Sequence, residues 1–201
     1  ASLKGTIAYS ILRLAGYKKD KYLLSCFGKG GMLPIEAALF ASGKAVNYYR
    51  KDKFLFPNYL KSSQEFLKDN FNEDTLKIKE VNADMRLVSA GKKNAKIAGI
   101  DRLIDFARIE TEWLDIKFKE KEIDILIAQP AAGEIRQIKE LFHQADYILE
   151  DKGTLVIISA TNQLLTNEEK FVLSSHKVLR RGNSELNIYT FKKKFIINDL
   201  I

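Results

Sequence analysis

Tyr22-Leu23-Leu24-Ser25-Cys26-Phe27-Gly28-Lys29-Gly30-Gly31-Met32-Leu33-Pro34-Ile35-Glu36-Ala37-Ala38-Leu39-Phe40 decides how this chain is read. Tyr22 to Phe27 is a short apolar run of the kind that forms a strand buried on both faces. Gly28-Lys29-Gly30-Gly31 then makes a tight loop, because glycine accepts positive φ and clears side chains from the backbone. Pro34 opens a helix through Phe40, and Gly43 closes it. A strand that runs through glycines into a helix is the opening unit of a parallel sheet with helices on its faces. In such a sheet the ligand lies outside the carboxyl ends of the strands, where strand order reverses.

The same alternation continues in both directions. Leu3, Ile7, Ile11 and Leu14 fall at helical spacing, and Gly16 stops them. Residues 44–75 form an insertion between the first helix and the second strand, with an aromatic and basic segment from Tyr48 to Tyr59 and a helix over 60–69. Leu76 to Val81 is the second strand, and Asp84 or a neighbour caps a helix from Met85 to Ala98, ended by Gly99. Leu103 to Ile109 and Ile123 to Ala128 are the third and fourth strands. A helix follows over Glu134 to Leu149, and Thr154 to Ser159 is the fifth strand. After a helix near Leu164 to Leu173, Lys177 to Arg180 and Leu186 to Phe191 flank Arg181-Gly182-Asn183-Ser184 as an antiparallel hairpin. The expected fold is a doubly wound, Rossmann-like α/β domain over residues 1–201. Its sheet is seven-stranded, mostly parallel, and ends in an antiparallel hairpin.

Composition narrows the function. Of 201 residues, 46% are hydrophobic, enough for one buried core. No apolar run approaches the roughly 20 residues that cross a bilayer. The single Cys26 cannot form an internal disulfide, which fits a reducing cytosol. Lys and Arg outnumber Asp and Glu by 33 to 26, a net charge of +7. That excess suits a polyanion such as RNA, and it equally serves solubility. Basic residues cluster beside aromatic ones around Arg50-Lys51-Asp52-Lys53 and Lys192-Lys193-Lys194, a pairing suited to phosphates and unpaired bases. His143 and His176 lie far apart with no carboxylate or thiol at metal-ligand spacing, so no metal site is expected. Trp113 reads as a core or edge aromatic.

The glycine loop lacks the third glycine of a dinucleotide fingerprint, and the second strand ends about 50 residues on, which argues against NAD. No Gly-Lys-Ser/Thr completes a phosphate loop. Ser25 to Leu39 instead resembles the "DPFCGSGTILIEAAL" motif of the RNA methylase family that includes THUMP-bearing tRNA guanine-N2 methyltransferases. Leu3-Lys4-Gly5-Thr6-Ile7-Ala8 resembles that family's "LRPTLA" helix. Asn82-Ala83-Asp84-Met85-Arg86-Leu87-Val88, with Lys92 to Ile100, is similar to "DIDPRMV…AKxNAKxAGV". Asp124 to Gly133 falls where the family carries "DLIVTNPPYG". The resemblance runs from Leu3 to about Lys194 in consistent order. It implies S-adenosylmethionine as cofactor, with Thr6, Phe27, Gly28, Gly30, Gly31, Asn82, Asp84 and Glu110 holding it. It also implies Gln129 and Pro130 at the target base, RNA and above all tRNA as partner, and an RNA-binding domain upstream of this chain.

Each departure from the family falls on chemistry. Ser25 (or Leu24, on a one-residue shift) stands where the family opens its glycine motif with an acid. Asn82 replaces the carboxylate that holds the ribose hydroxyls. Since charged hydrogen bonds contribute about 1.5–3 kcal/mol and neutral ones about 0.5–1.5, that exchange weakens binding roughly tenfold, and Asn82→Asp should strengthen it. Glu110 stands for an Asp that accepts from the adenine amine. In the fourth loop Gln129 replaces Asn, Pro130 remains, and Ala131 and Ala132 replace a proline and an aromatic ring that stacks on the flipped base. Two readings therefore stand. One is an RNA guanine-N2 methyltransferase with a divergent site. The other is an inactive methyltransferase fold, its cofactor weakly held or lost, that binds RNA or a partner protein.

Overall fold

A computed structural model describes residues 3–44, 48–53, 59, 71, 75–131, 134–162, 169–181 and 184–194. Seven strands form one sheet: β1 (Leu23–Cys26), β2 (Ile78–Asn82), β3 (Asp105–Arg108), β4 (Ile123–Ala128), β5 (Leu149–Ser159), β6 (Phe171–Arg181) and β7 (Ser184–Lys193). Their spatial order is β3-β2-β1-β4-β5-β7-β6. The first five pair in parallel, and β7 runs antiparallel to both β5 and β6. This is the expected doubly wound, mostly parallel sheet with a terminal antiparallel hairpin. The helices are α1 (Gly5–Leu14), α2 (Met32–Ser42), α3 (Met85–Ala98), α4 (Leu114–Lys117) and α5 (Ile135–Ile148).

Strand alternation sends neighbouring side chains to opposite faces of the sheet. Leu23, Ile78, Ile125, Ile127, Val156 and Ile158 join a core with α1, α2 and α3. Leu24, Val81, Leu126, Ala128, Leu155 and Ile157 join a second core with α4 and α5. All four residues of β1 are buried, as its position in the middle of the sheet requires. At the amino ends of the strands, Asp124 accepts from Lys21 Nζ at 2.7 Å and from the Tyr22 backbone at 2.7 Å, tying β4 to the approach of β1.

Four elements differ from expectation. The third strand is shorter, because Asp101–Leu103 is a 3-10 turn before β3. The fifth begins at Leu149, directly after α5. Where a helix was expected near 164–173, Phe171 to Leu173 belong to β6, paired with β7; residues 163–168 lie outside the described set. Strand pairing outweighs local helical spacing there, since the apolar residues fit either period. Trp113 is neither core nor sheet edge but sits 52% exposed on a 3-10 turn, Thr111–Trp113.

The insertion is described only in part, and the helix expected over 60–69 lies outside the described residues. Its start is anchored at the far end of α2. Lys44 Nζ donates to the Gly99 carbonyl at the carboxyl end of α3, and lies over the rings of Tyr48 and Phe71. A 3-10 segment, Tyr48–Lys53, follows. Among the described residues, no helix is long and apolar enough to cross a membrane.

Candidate active site

β1 leads to a helix on one face, while its neighbour β4 leads to α5 on the other. Their carboxyl ends therefore open a crevice at the point where strand order reverses. The loop from Phe27 to Gly31 forms one lip. Phe27 has φ 60°, unusual for a residue with a side chain, and Gly30 and Gly31 follow at 95° and 76°. Non-glycine backbone held in that region gathers at functional sites. Gly31 packs so closely on α3 and β3 that a Cβ there would lie 3.0 Å from the Gly91 Cα. Two side chains latch the loop: Asn82 Nδ2 donates to the Gly28 carbonyl at 3.1 Å, and Asn94 Nδ2 to the Gly30 carbonyl at 2.9 Å. From β4, the Gln129 backbone N–H donates to the Cys26 carbonyl at 3.1 Å. The fourth loop is thereby fastened beside the first.

The candidate residues divide by where their side chains are engaged. Asn82 is 7% exposed, and besides holding Gly28 its Oδ1 accepts from the Asp84 backbone at 3.0 Å. Both ends of its amide bond the protein's own backbone, which leaves one N–H and one lone pair of the amide beyond these two bonds. Asp84 caps α3 by accepting from the Arg86 backbone, and its carboxylate is paired with the Arg86 guanidinium at 2.7 Å. That cation and those hydrogen bonds hold its carboxyl below the usual range.

Phe27 and Glu110 share a cleft of about 350 Å³ with Ala83, Thr111, Glu112 and Arg136. Its size falls in the range of small-molecule sites. Glu110 is exposed there, and Ile109 N–H donates to the Asn82 carbonyl, so the ends of β2 and β3 turn into the cleft together. Gly28, Gly30 and Gly31 are buried in the loop, while Lys29 is exposed. Gln129 is half-buried and Pro130 buried. Thr6 is exposed on α1 and is not part of the lining of this cleft. Hydrogen bonds thus bring together the loops of Gly28, Asn82, Glu110 and Gln129.

Three residues that shape the site were not singled out from the sequence. Asn94 lay inside a quoted motif without a role. Gln144, 3% exposed on α5, accepts from the Asp115 backbone at 2.8 Å and donates to the Glu112 carbonyl, which holds the cleft wall from 110 to 115. Its only sequence signal was a polar residue on an otherwise apolar helix face. Glu80, 1% exposed on β2, lies under the glycine loop. Burial pushes its carboxyl up to about 7, opposed by a long 3.5 Å contact from the Ser25 hydroxyl. An acid within an apolar strand was the available signal.

A family model for RMKL-like methyltransferase domains (UPF0020) matches residues 1–187. The ribosomal RNA large subunit methyltransferase K/L of Shewanella woodyi is 28% identical over 213 aligned positions, covering 94% of this chain and 29% of that protein. The tRNA (guanine(6)-N2)-methyltransferase of Methanocaldococcus jannaschii is 28% identical, covering 82% of this chain and 46% of that protein. The chain thus spans less than half the length of either relative. Among solved structures, the methyltransferase SMU.472, complexed with SAH, superposes with a TM-score of 0.76 at 18% identity, over 96% of this chain and 53% of that one.

Proposed function

Because the chain belongs to the family of RMKL-like methyltransferase domains, we propose that it binds S-adenosylmethionine and methylates RNA, at the exocyclic amine of a tRNA guanine. The observation that carries this reading is the meeting of the glycine loop and the Gln129-Pro130 loop through the Gln129–Cys26 hydrogen bond. A cofactor lip and a target-base lip then face one crevice. The relatives named for ribosomal RNA and for tRNA guanine-N2 methylation support the substrate class.

The residues fit the cofactor on two counts. A Cβ at Gly28 would fall within 2.7 Å of the Glu80 carboxylate, so Gly28 must be bare backbone, and the glycines at 28, 30 and 31 keep side chains off a loop that an amino-acid moiety can approach. The neighbouring cleft offers the Phe27 ring and the Glu110 carboxylate to a planar base with an amine. When bound, the cofactor supplies an electrophilic methyl group on a sulfonium. The chain's own part is to hold and orient the target. The Gln129 side-chain oxygen and the Pro130 carbonyl accept the two amine hydrogens, which aims the nitrogen lone pair and draws electron density onto it. The Asn82 and Asn94 latches keep the loop in its strained shape without help from ligand. A cytosolic setting goes with this reading, supported by the single buried thiol of Cys26.

A second reading is favoured by Ala131 and Ala132, which offer no ring to stack on a flipped base: a fold that binds RNA or a partner without methyl transfer. Calorimetry with S-adenosylmethionine, followed by incubation with unmodified tRNA or ribosomal RNA and labelled cofactor, separates the two. The expected product on digestion is N2-methylguanosine. Cofactor or RNA binding without label transfer selects the second reading, and absence of both kinds of binding overturns both.

A further inference from the structure

Glu80 is a charged residue in the wrong place for a strand interior. β2 pairs with β1 in parallel, and the register sets Glu80 beside Ser25, the position at which the resembling motif begins with an acid. The carboxylate is 1% exposed, and its Oε1 has no hydrogen-bond partner among the described residues. It faces the glycine loop: a Cβ on Gly28 would lie 2.6 Å from Oε2, 2.7 Å from Oε1 and 2.7 Å from Cδ. A bare glycine is the only residue that leaves room for the carboxylate there. An unpartnered acid in such a place costs free energy, and a buried acid persists because something else gains from it.

Among the described residues, its neighbours supply no cation. From β1 come the Ser25 hydroxyl and, turned to the other face of the sheet, the Cys26 thiol, whose deprotonation the carboxylate and burial both disfavour. From β3 the register partner is Phe106. On α2, Glu36 turns toward Gly5 of α1. On α3, Gly91 meets Phe106, and Lys92, Lys93 and Lys96 are exposed. On the side toward the loop the carboxylate lies directly against the Gly28 backbone, which alone separates it from the crevice.

We propose that Glu80 is the carboxylate of the glycine loop, carried on β2 instead of β1, and that it gives up its proton when a cofactor with a cationic amino-acid end settles on that loop. The inference rests on the cofactor reading above. Glu80 is then a positioning residue. In the free protein, burial pushes the carboxyl up to about 7, so that about half of the molecules carry the proton at neutral pH. A ligand cation above Gly28 favours the carboxylate, the O–H bond breaks, and the proton passes to the buffer. The acid that a strand-one residue would offer has moved across one ladder position, and Ser25 fills the vacated space with a small hydroxyl.

The test is calorimetry of the chain with S-adenosylmethionine at pH 7 in phosphate and in Tris, whose ionisation enthalpies differ. The buffer dependence of the heat counts protons. Wild type should release about half a proton more per cofactor than Glu80→Gln, since a group titrating near pH 7 is about half protonated there. Adenosine, which lacks the amino-acid end, should show no such difference. Glu80→Gln should also bind about tenfold more weakly. The double variant Ser25→Asp/Glu80→Gln, with the acid returned to β1, should recover affinity, and it supplies the readout if Glu80→Gln alone fails to fold. Equal proton exchange in wild type and Glu80→Gln, or a double variant that binds no better than Glu80→Gln, overturns the proposal. Failure of the wild type to bind S-adenosylmethionine at all overturns the cofactor reading instead, and this inference with it.

Discussion

At Asn82 a single amide joins two loops: it donates to the Gly28 carbonyl and accepts from the Asp84 N–H. An Asp there would keep the second bond and set a carboxylate oxygen against the Gly28 carbonyl, two acceptors at about the same separation. Asn82→Asp should therefore destabilise the fold by about 1–3 kcal/mol and weaken cofactor binding rather than strengthen it. Urea unfolding of the two proteins checks the first effect, and unchanged stability would mean that the latch does not hold the loop. Glu80 makes a second prediction at the same scale. Its carboxyl titrates near 7 in the folded chain against about 4.3 in an unfolded one, so the native state holds a proton that the unfolded state has lost. The stability it contributes is complete below about pH 4.3 and lost as pH rises through 7, roughly 3 to 4 kcal/mol in all. Glu80→Gln, neutral at every pH, should lack that decline. Parallel pH–stability curves for the two proteins would rule it out.

At the scale of elements, the cleft wall depends on a contact between α5 and the segment before α4. The segment Glu110 to Asp115 has little hydrophobic anchoring of its own, since Glu112, Trp113 and Asp115 are exposed and Leu114 is the buried residue. Gln144 supplies what is missing by pairing with the backbone at Glu112 and Asp115. Gln144→Leu would fill a similar volume while leaving two backbone groups without their partner. We expect a loss of about 1–3 kcal/mol and faster hydrogen exchange at the Asp115 amide. Exchange unchanged at that amide would show that the wall is held by α4 alone. The same variant should weaken binding in the cleft that Glu110, Thr111 and Glu112 line.

Across the whole molecule, the chain carries a net charge of +7. The basic insertion is described only over Tyr48–Lys53 and Tyr59 in its basic and aromatic part. That start follows Lys44, which is fastened to the carboxyl end of α3, at the end of the sheet away from the crevice. Lys29, Arg108 and Arg136 are exposed at the crevice end. If RNA reaches Gln129 from that side, replacing Lys29, Arg108 and Arg136 together with Ala should flatten the salt dependence of tRNA binding. The expected change is about two units of log–log slope, at roughly 0.7 per single-strand phosphate contact. Replacing Arg50, Lys51 and Lys53 should leave the slope as it is. Filter binding over a range of salt checks both variants, and the opposite pattern would place RNA on the insertion.

The sequence by itself determined the order of the five parallel strands, the glycine loop after β1 and the Asp84 cap. Those features follow from local rules: side-chain period, the left-handed backbone that glycine accepts, and caps that bond within two residues. Tertiary structure alone decided what the polar residues do. Asn82 finds its partner 54 positions away, Gln144 holds a wall about 30 positions upstream, and Glu80 meets Ser25 only through strand register. It also made Phe171 to Leu173 a strand, because β7 offered them a partner that a helix would have left unpaired. The physical reason is range. Local conformation depends on neighbours in the chain, whereas a buried polar group is defined by whichever distant donor or acceptor the finished packing sets against it.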